Sequence, residues 1–112
     1  MSEGPSRPER APAVPTKEEV IERLRENPQE LGPYLIWLDD RQTAIEGISD
    51  TRERDEANID LTLDMGEICR EAGFLESALE NFGSAVMQAY QMGDEARRER
   101  AQEALDALPK PS

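Results

Sequence analysis

The stretch MGEICREAGFLESALENFGSAV, residues 65–86, predicts two helices joined by a turn at Gly73. Apolar residues recur every three or four positions on both sides of Gly73, which is the period of an amphipathic helix. Glycine often ends a helix because it adopts the left-handed backbone conformation without a steric penalty. On the second helix this spacing selects an apolar stripe of Leu75, Leu79, Phe82, Val86 and Tyr90.

The two helices carry small residues where they are expected to meet. Gly66 on the first helix, with Ala78 and Ala85 on the second, leaves room for close antiparallel packing. Phe82 is then expected to fill the space between the helices. No segment of the chain alternates apolar and polar residues in the manner of a strand. The predicted fold class is therefore all-α, a small antiparallel helical bundle.

Residues 59–92 resemble one tetratricopeptide repeat, a helix–turn–helix unit of about 34 residues with the pattern W-x2-L-G-x2-Y, then A-x3-F, then P. The corresponding positions are Thr62, Met65, Gly66, Cys69, Ala78 and Phe82. Thr62 and Cys69 replace the tryptophan and the tyrosine of the family, and Tyr90 stands near the place of its closing proline. A plain helical hairpin with the same small residues is the alternative interpretation. Residues 25–58 match the repeat only as a degenerate second copy.

Further helices are predicted around this hairpin. The first helix runs from a capping box at Thr16 to Asn27-Pro28, and the second from Pro33 to about Ile48. The other three run from Asp50 to Ala72, from Leu75 to Met92 and over residues 94–108. Residues 16–108 would form the helical domain, in which 94–108 resembles the terminal cap of a repeat array. Residues 1–15 are rich in proline and are expected to be a disordered arm, and 109–112 a short tail.

The predicted second helix is apolar on every side at YLIWL, residues 34–38. Such a helix has to be covered on every side. Its best apolar stripe is Leu35, Leu38, Ile45 and Ile48. One repeat cannot bury its own face, since about three are needed for independent stability. We therefore expect this helix and the last helix to complete the core, and a second chain to do so if they do not suffice.

The chain is strongly acidic, with a formal net charge of −12 and 34% charged residues. This charge argues against nucleic-acid binding, which depends on clustered lysine and arginine. The sequence contains neither the apolar region of a signal peptide nor a run of about 18 apolar residues for a membrane span. Cys69 is the single cysteine and fits a reducing compartment. We expect a soluble, cytoplasmic protein.

We find no catalytic motif in the sequence. The chain has no histidine, so the commonest general base, the hydrolytic triads and the histidine-containing di-iron sites of helical bundles are missing. It also has no glycine-rich phosphate loop and no calcium-binding loop motif. Cys69 is expected to be a small core residue rather than a nucleophile. We predict a non-enzymatic protein without a cofactor or a metal.

The candidate partner-binding residues are Tyr34, Ile36, Trp37, Asp60, Leu63, Glu67, Arg70 and Glu71. Trp37, with Tyr34 and Ile36 beside it, would anchor a partner because aromatic residues are enriched in interface hot spots. The alternative is that Trp37 belongs to the core. The other five follow from the repeat resemblance, which implies that peptides lie along the outward side of the first helix of the unit. A solvated helix face is the alternative for this mostly acidic strip.

Together these features predict a small adaptor or chaperone-like subunit that binds another protein and also self-associates. The strip favours a partner with a basic or mixed apolar segment. The alternative function is an acidic inhibitor or nucleic-acid mimic that blocks a basic site on an enzyme. Salt separates the two, because binding through apolar residues survives high salt whereas electrostatic binding weakens.

Overall fold

The computed structural model describes residues 13–109, and within that range it contains five helices and no strand. The helices are α1 (Lys17–Glu26), α2 (Gly32–Glu46), α3 (Thr51–Ala72), α4 (Leu75–Met92) and α5 (Glu95–Asp106). This architecture confirms the predicted all-α class. Most of the predicted arm, and residues 110–112 of the predicted tail, lie outside the described residues.

Three helices begin at side-chain caps that the sequence predicts. Thr16 forms both halves of its capping box, since the Glu19 amide donates to Thr16 Oγ1 at 3.1 Å and the Thr16 amide donates to Glu19 Oε1 at 2.8 Å. Asp50 caps α3 by accepting from the Glu53 amide at 2.8 Å. Asp94 caps α5 by accepting from the Arg97 amide at 3.1 Å. The polar start of α3 is helical because Asp50 fixes its first turn.

Two left-handed glycines fold the second half of the chain back on itself. Gly73 ends α3 with a φ of 94°, and Gly93 ends α4 with a φ of 72°. At the first turn the Phe74 amide donates to the Cys69 carbonyl at 2.7 Å, and at the second the Asp94 amide donates to the Ala89 carbonyl at 2.9 Å. Both turns therefore satisfy the last carbonyls of the preceding helix in the same way. The predicted bounds of α4 are confirmed at both ends.

The contact between α3 and α4 depends on Gly66. A Cβ atom at this position would lie 2.6 Å from Cε1 of Phe82, which is too close for any side chain. Phe82 is fully buried, as are Ala78 and Ala85. The predicted close antiparallel packing of these two helices around Phe82 is therefore confirmed.

The buried face of α4 differs from its predicted stripe. Its buried residues are Ala78, Phe82, Ala85 and Ala89. Leu75, Leu79 and Tyr90 are instead 40%, 52% and 70% exposed. The reason is that α4 packs on α3 and α5 through its small residues, and this close approach turns the larger apolar side chains to the flank. The prediction that these three residues belong to the core stripe is wrong.

The helices form two cores that share α3. In the first, which we call the hairpin core, Ile59 and Leu63 of α3 pack with α4 and with Ala101 and Leu108 at α5. In the second, which we call the N-terminal core, α1 and α2 pack on the opposite set of α3 residues. Its buried members are Val20, Leu24, Trp37, Ile45, Leu61 and Ile68.

The face of α2 that enters the core also differs from prediction. Trp37 is only 3% exposed, whereas Leu35 is 54% exposed. The Trp37 ring stacks on Tyr34 at 6.0 Å between centroids, and the Arg41 guanidinium lies 5.3 Å from the centroid of the same ring. This aromatic and cationic packing orients α2, so the predicted core position of Leu35 is wrong. The other interpretation of Trp37, as a core residue, is confirmed.

The molecule is thin, and this explains why YLIWL is not covered on every side. Its Cα atoms extend only 15 Å along the shortest axis. Because packed helices lie about 8–10 Å apart, this thickness holds two helices at most. Each helix therefore keeps a face towards solvent, and in α2 that face includes Leu35 and Ile36, the latter 40% exposed.

Candidate functional site

The predicted acidic strip of α3 is engaged in ion pairs with neighbouring helices. Arg97 of α5 donates from Nε and Nη2 to both carboxylate oxygens of Asp60, at 2.8 and 3.0 Å. At the other end of α3, Glu67 pairs with Lys17 of α1. Arg25 of α1 donates from Nε to the Glu71 carbonyl at 2.8 Å and from Nη2 to the Glu71 carboxylate at 3.1 Å. This strip therefore joins α1 and α5 to α3.

The pKa values of the basic partners reflect this pairing. Hydrogen bonds to Asp60 and Asp94 raise the pKa of Arg97 above its ordinary value. Burial by itself lowers the pKa of Lys17, but its hydrogen bond to Glu67 and the nearby Asp64 charge outweigh burial and raise it. Both side chains are thus fixed in their charged form and neutralise part of the acidic strip.

The two remaining residues of the strip, Leu63 and Arg70, also make contacts within the chain. Leu63 is 2% exposed and belongs to the hairpin core, so its predicted position on the outward side of α3 is wrong. The cause is the extensive contact of α3 with α4, which buries more of the α3 surface than the repeat resemblance implies. Arg70 lies with Cζ 6.0 Å from the Phe82 ring centroid and pairs with Glu71 at 3.1 Å.

The three predicted anchor residues on α2 have different positions. Trp37 is buried in the N-terminal core and presents no surface to a partner. Ile36 is exposed on another side of the helix. Tyr34 is half-buried and lines a cleft where the start of α2 meets the α3–α4 hairpin. The structure therefore does not bring these three residues together on one surface.

This cleft, which we call the α2 cleft, has a mostly apolar lining. Its volume is about 240 Å³. The residues that line it are Leu24, Leu31, Tyr34, Ile68, Cys69, Phe74, Ser77, Glu80 and Asn81. Leu31 is 48% exposed at its mouth, and Leu35 lies one helical turn further along α2. An apolar interior beside exposed leucines is typical of a site that accepts an apolar side chain.

The polar groups in the α2 cleft are neutral or acidic. Burial raises the pKa of the Cys69 thiol, and the Asn81 side chain donates to its sulfur at 3.8 Å. Burial also raises the pKa of the Tyr34 hydroxyl. Both groups are therefore protonated at neutral pH, so Cys69 is no thiolate nucleophile. Glu80, an exposed residue, supplies a carboxylate to the lining.

A second cleft lies where the start of α3 faces the end of α4. It encloses about 420 Å³ and is lined by Asp55, Asn58, Ile59, Gln88, Gln91 and Met92. Most of these side chains are amides or carboxylates, and neither Ile59 nor Met92 is exposed. This cleft therefore offers no apolar anchor and is a weaker candidate.

Two other classes of site are absent from residues 13–109. No group of three or more carboxylate or thiol side chains there comes together as metal ligands would. None of the helices in that range has the length and hydropathy of a membrane-spanning segment.

Comparisons with protein-family models, with curated proteins and with solved structures find no match to this chain. The likeness to a tetratricopeptide repeat thus rests on the residues of the hairpin alone. Sequence patterns missed the α2 cleft because Leu31, Phe74 and Asn81 come from three separate segments. The residue that could have indicated the cleft is Leu31, a single apolar residue between Glu30 and Gly32 in the polar connection between α1 and α2.

Proposed function

We propose that this protein is a small, non-enzymatic interaction module, an adaptor or chaperone-like subunit built around one tetratricopeptide-like hairpin. Its partner is a protein segment that inserts an apolar side chain into the α2 cleft. The observation that carries the proposal is the pair of half-exposed leucines, Leu31 and Leu35, beside a cleft with an apolar interior. Exposed leucines on a helix lower solubility, and a partner that covers them removes this penalty.

The charge around the cleft defines the partner further. Glu80 lines it, Glu30 precedes Leu31, and the whole chain has a net charge of −12. A segment with lysine or arginine beside its apolar anchor therefore complements the surface. The apolar anchor supplies the affinity, whereas the basic residues speed association.

The acidic-inhibitor alternative receives less support from the α3 strip. Asp60, Glu67 and Glu71 already pair with arginine or lysine of the same chain. A mimic of a nucleic acid would need such carboxylates free to face a basic enzyme surface. The contribution of this strip to a negative surface is therefore reduced.

Peptide display tests the proposal directly. The full chain is panned against a random peptide library at low and at high salt, and the selected peptides are then measured against variants. We expect peptides with a large apolar residue beside lysine or arginine, whose affinity persists at high salt. Leu35→Ser and Leu31→Ser should each weaken binding by about tenfold, consistent with the loss of an apolar anchor.

Val14→Ser is the matched control, because Val14 is also exposed, at 44%, but lies before α1 rather than at the start of α2 beside the cleft. It should leave peptide affinity unchanged. Selection of purely basic peptides that dissociate at high salt would favour the acidic-inhibitor function instead. Failure to select any peptide class sensitive to Leu35→Ser would overturn the proposed site.

A further inference from the structure

A second exposed apolar surface runs along α4, away from the α2 cleft. We call it the outer face of α4 and define it by Leu75, Leu79, Gly83, Met87 and Tyr90. The four side chains are 40%, 52%, 55% and 70% exposed. Val86, at the edge of this face, packs against the hairpin core, so the outer face begins where the contacts within the chain end.

Gly83 lies in the middle of this face, and no neighbouring atom of the chain requires a glycine there. A Cβ atom at Gly83 would meet nothing within 4 Å, whereas one at Gly66 would clash with Phe82. Glycine is less favourable in a helix interior than any residue except proline. A glycine that no neighbour requires leaves the backbone open to close approach by another helix.

The C-terminal part of the outer face also differs from the rest of the chain in charge. Residues 81–92 contain no charged residue, although 34% of the whole chain is charged. Two copies with a net charge of −12 each repel one another when their charged surfaces meet. The uncharged half of α4 adds no charge to that repulsion.

The residues around Gly83 are complementary to themselves when α4 is reversed. Leu79 and Met87 lie four positions before and after Gly83, and Glu76 and Tyr90 lie seven positions before and after it. A two-fold axis through Gly83 in an antiparallel pair would therefore place Leu79 of one copy against Met87 of the other. It would also bring the Tyr90 hydroxyl of one copy to the Glu76 carboxylate of the other, a donor to an acceptor. Such pairing is what an interface between identical subunits requires.

We propose that two copies of this chain associate through the outer faces of α4, which cross antiparallel at Gly83. The four exposed side chains offer on the order of 400 Å² per copy, about half of what each partner contributes to a standard interface. The dimer is therefore weak, and it forms at micromolar or higher protein concentration. This surface is separate from the α2 cleft, so the two proposals fail independently.

Sedimentation equilibrium of the full chain tests the dimer, from about 10 μM to about 1 mM protein at roughly 50 and 500 mM NaCl. We expect a monomer–dimer equilibrium that strengthens at high salt, because salt screens the repulsion between two acidic copies. A chain that stays monomeric at every concentration and both salts overturns the proposal. Association that weakens at high salt also overturns it, since the contact would then be electrostatic.

Substitutions on the outer face give the second test. Leu79→Glu should weaken association by about tenfold or more, because it places a carboxylate in an apolar contact. Gly83→Ala should raise the melting temperature of the dilute monomer and yet weaken association by a similar factor. Leu35→Ser, at the α2 cleft, is the control and should leave association unchanged. Association that withstands Leu79→Glu contradicts the proposed face.

Cross-linking tests the antiparallel register. Leu79→Cys and Met87→Cys variants are mixed under oxidising conditions and compared with each variant alone. We expect the mixed pair to form a disulfide several times faster than either single variant, because only the mixture brings the two positions together. Equal rates in all three samples would contradict the crossing at Gly83.

Discussion

The hairpin core and the N-terminal core are held together by different means. In the hairpin core, glycine and alanine let three helices approach closely, and Phe82 is the fully buried aromatic ring at their centre. In the N-terminal core, α1 and α2 pack through larger side chains, with Trp37 as the main one. Ion pairs from Lys17, Arg25 and Arg41 then border the contact with α3. The first core therefore depends on shape, and the second depends on shape together with charge.

The largest expected effect is on the hairpin core. Phe82→Ala should lower the free energy of unfolding by about 3–5 kcal/mol, because it leaves a cavity between α3 and α4. Urea titration followed by helical circular dichroism measures this loss. Phe82→Leu is the control and should cost only about 1–1.5 kcal/mol, since it keeps most of the volume. A loss below 1 kcal/mol for Phe82→Ala would show that the hairpin does not depend on this ring.

Two glycine substitutions test how much the close approach of α3 and α4 at Gly66 contributes to stability. Gly66→Ala should destabilise the chain by about 1–3 kcal/mol, because its Cβ atom would lie 2.6 Å from Phe82 Cε1. Gly83→Ala makes the same chemical change where no atom lies within 4 Å, and it should stabilise the helix by up to about 1 kcal/mol. Thermal unfolding of both variants in dilute solution checks the contrast. Equal effects of the two substitutions would contradict the packing argument.

The cap of α5 tests the outermost helix of the hairpin core. Asp94→Ala should cost about 1 kcal/mol at neutral pH, since it removes the acceptor for the Arg97 amide. Hydrogen bonds from the Arg97 amide and guanidinium lower the pKa of folded Asp94 below its ordinary value of 3.8. The part of this stabilisation that comes from the carboxylate charge is thus complete above the ordinary pKa and disappears as pH falls through the lower folded-state pKa.

Urea titrations between neutral and acidic pH measure this dependence. We expect the difference in stability between the original chain and Asp94→Ala to shrink at acidic pH. Asp94→Asn retains a good capping residue and should show a smaller loss at neutral pH. A difference between the original chain and Asp94→Ala that stays constant down to strongly acidic pH would exclude the carboxylate as its source.

The smallest expected effect is on the polar border of the N-terminal core. Asp64 accepts from Lys17 Nζ at 3.3 Å and from Arg41 Nη2 at 3.0 Å, so Asp64→Asn weakens two contacts together. We expect a loss of about 0.5–1 kcal/mol that shrinks at high salt, because these side chains are partly exposed. Arg23→Met removes the exposed pair with Glu30 at 3.8 Å and should be nearly neutral. If the stability loss of Asp64→Asn does not change with salt, the loss comes from packing rather than from charge.

The sequence predicts the hairpin core well because its signals are local. Gly73 and Gly93 stop their helices at the predicted residues, and the positions of Gly66 and Phe82 follow from helical spacing. The same spacing misplaces the large apolar residues of α4, since it cannot show that the small residues form the closer contact. Packing against two neighbours, a tertiary property, decides which side is buried.

The N-terminal core and the α2 cleft are less predictable. Because YLIWL is apolar on every side, its period does not select the face that Trp37 occupies. The ion pair of Lys17 with Glu67 joins residues far apart in the sequence. No local pattern therefore shows that carboxylates of the acidic strip of α3 are already in ion pairs. The α2 cleft combines Leu31, Phe74 and Asn81 from different segments, which only the tertiary fold brings together.

The sharing of α3 by both cores determines how the protein loses its structure. Residues of α3 alternate between the two, with Ile59 and Leu63 on the hairpin side and Leu61 and Ile68 on the other. No break point along α3 divides the chain into separately stable pieces. Melting either core exposes apolar residues along the same stretch of helix, so we expect the two cores to unfold as one cooperative unit in a single transition.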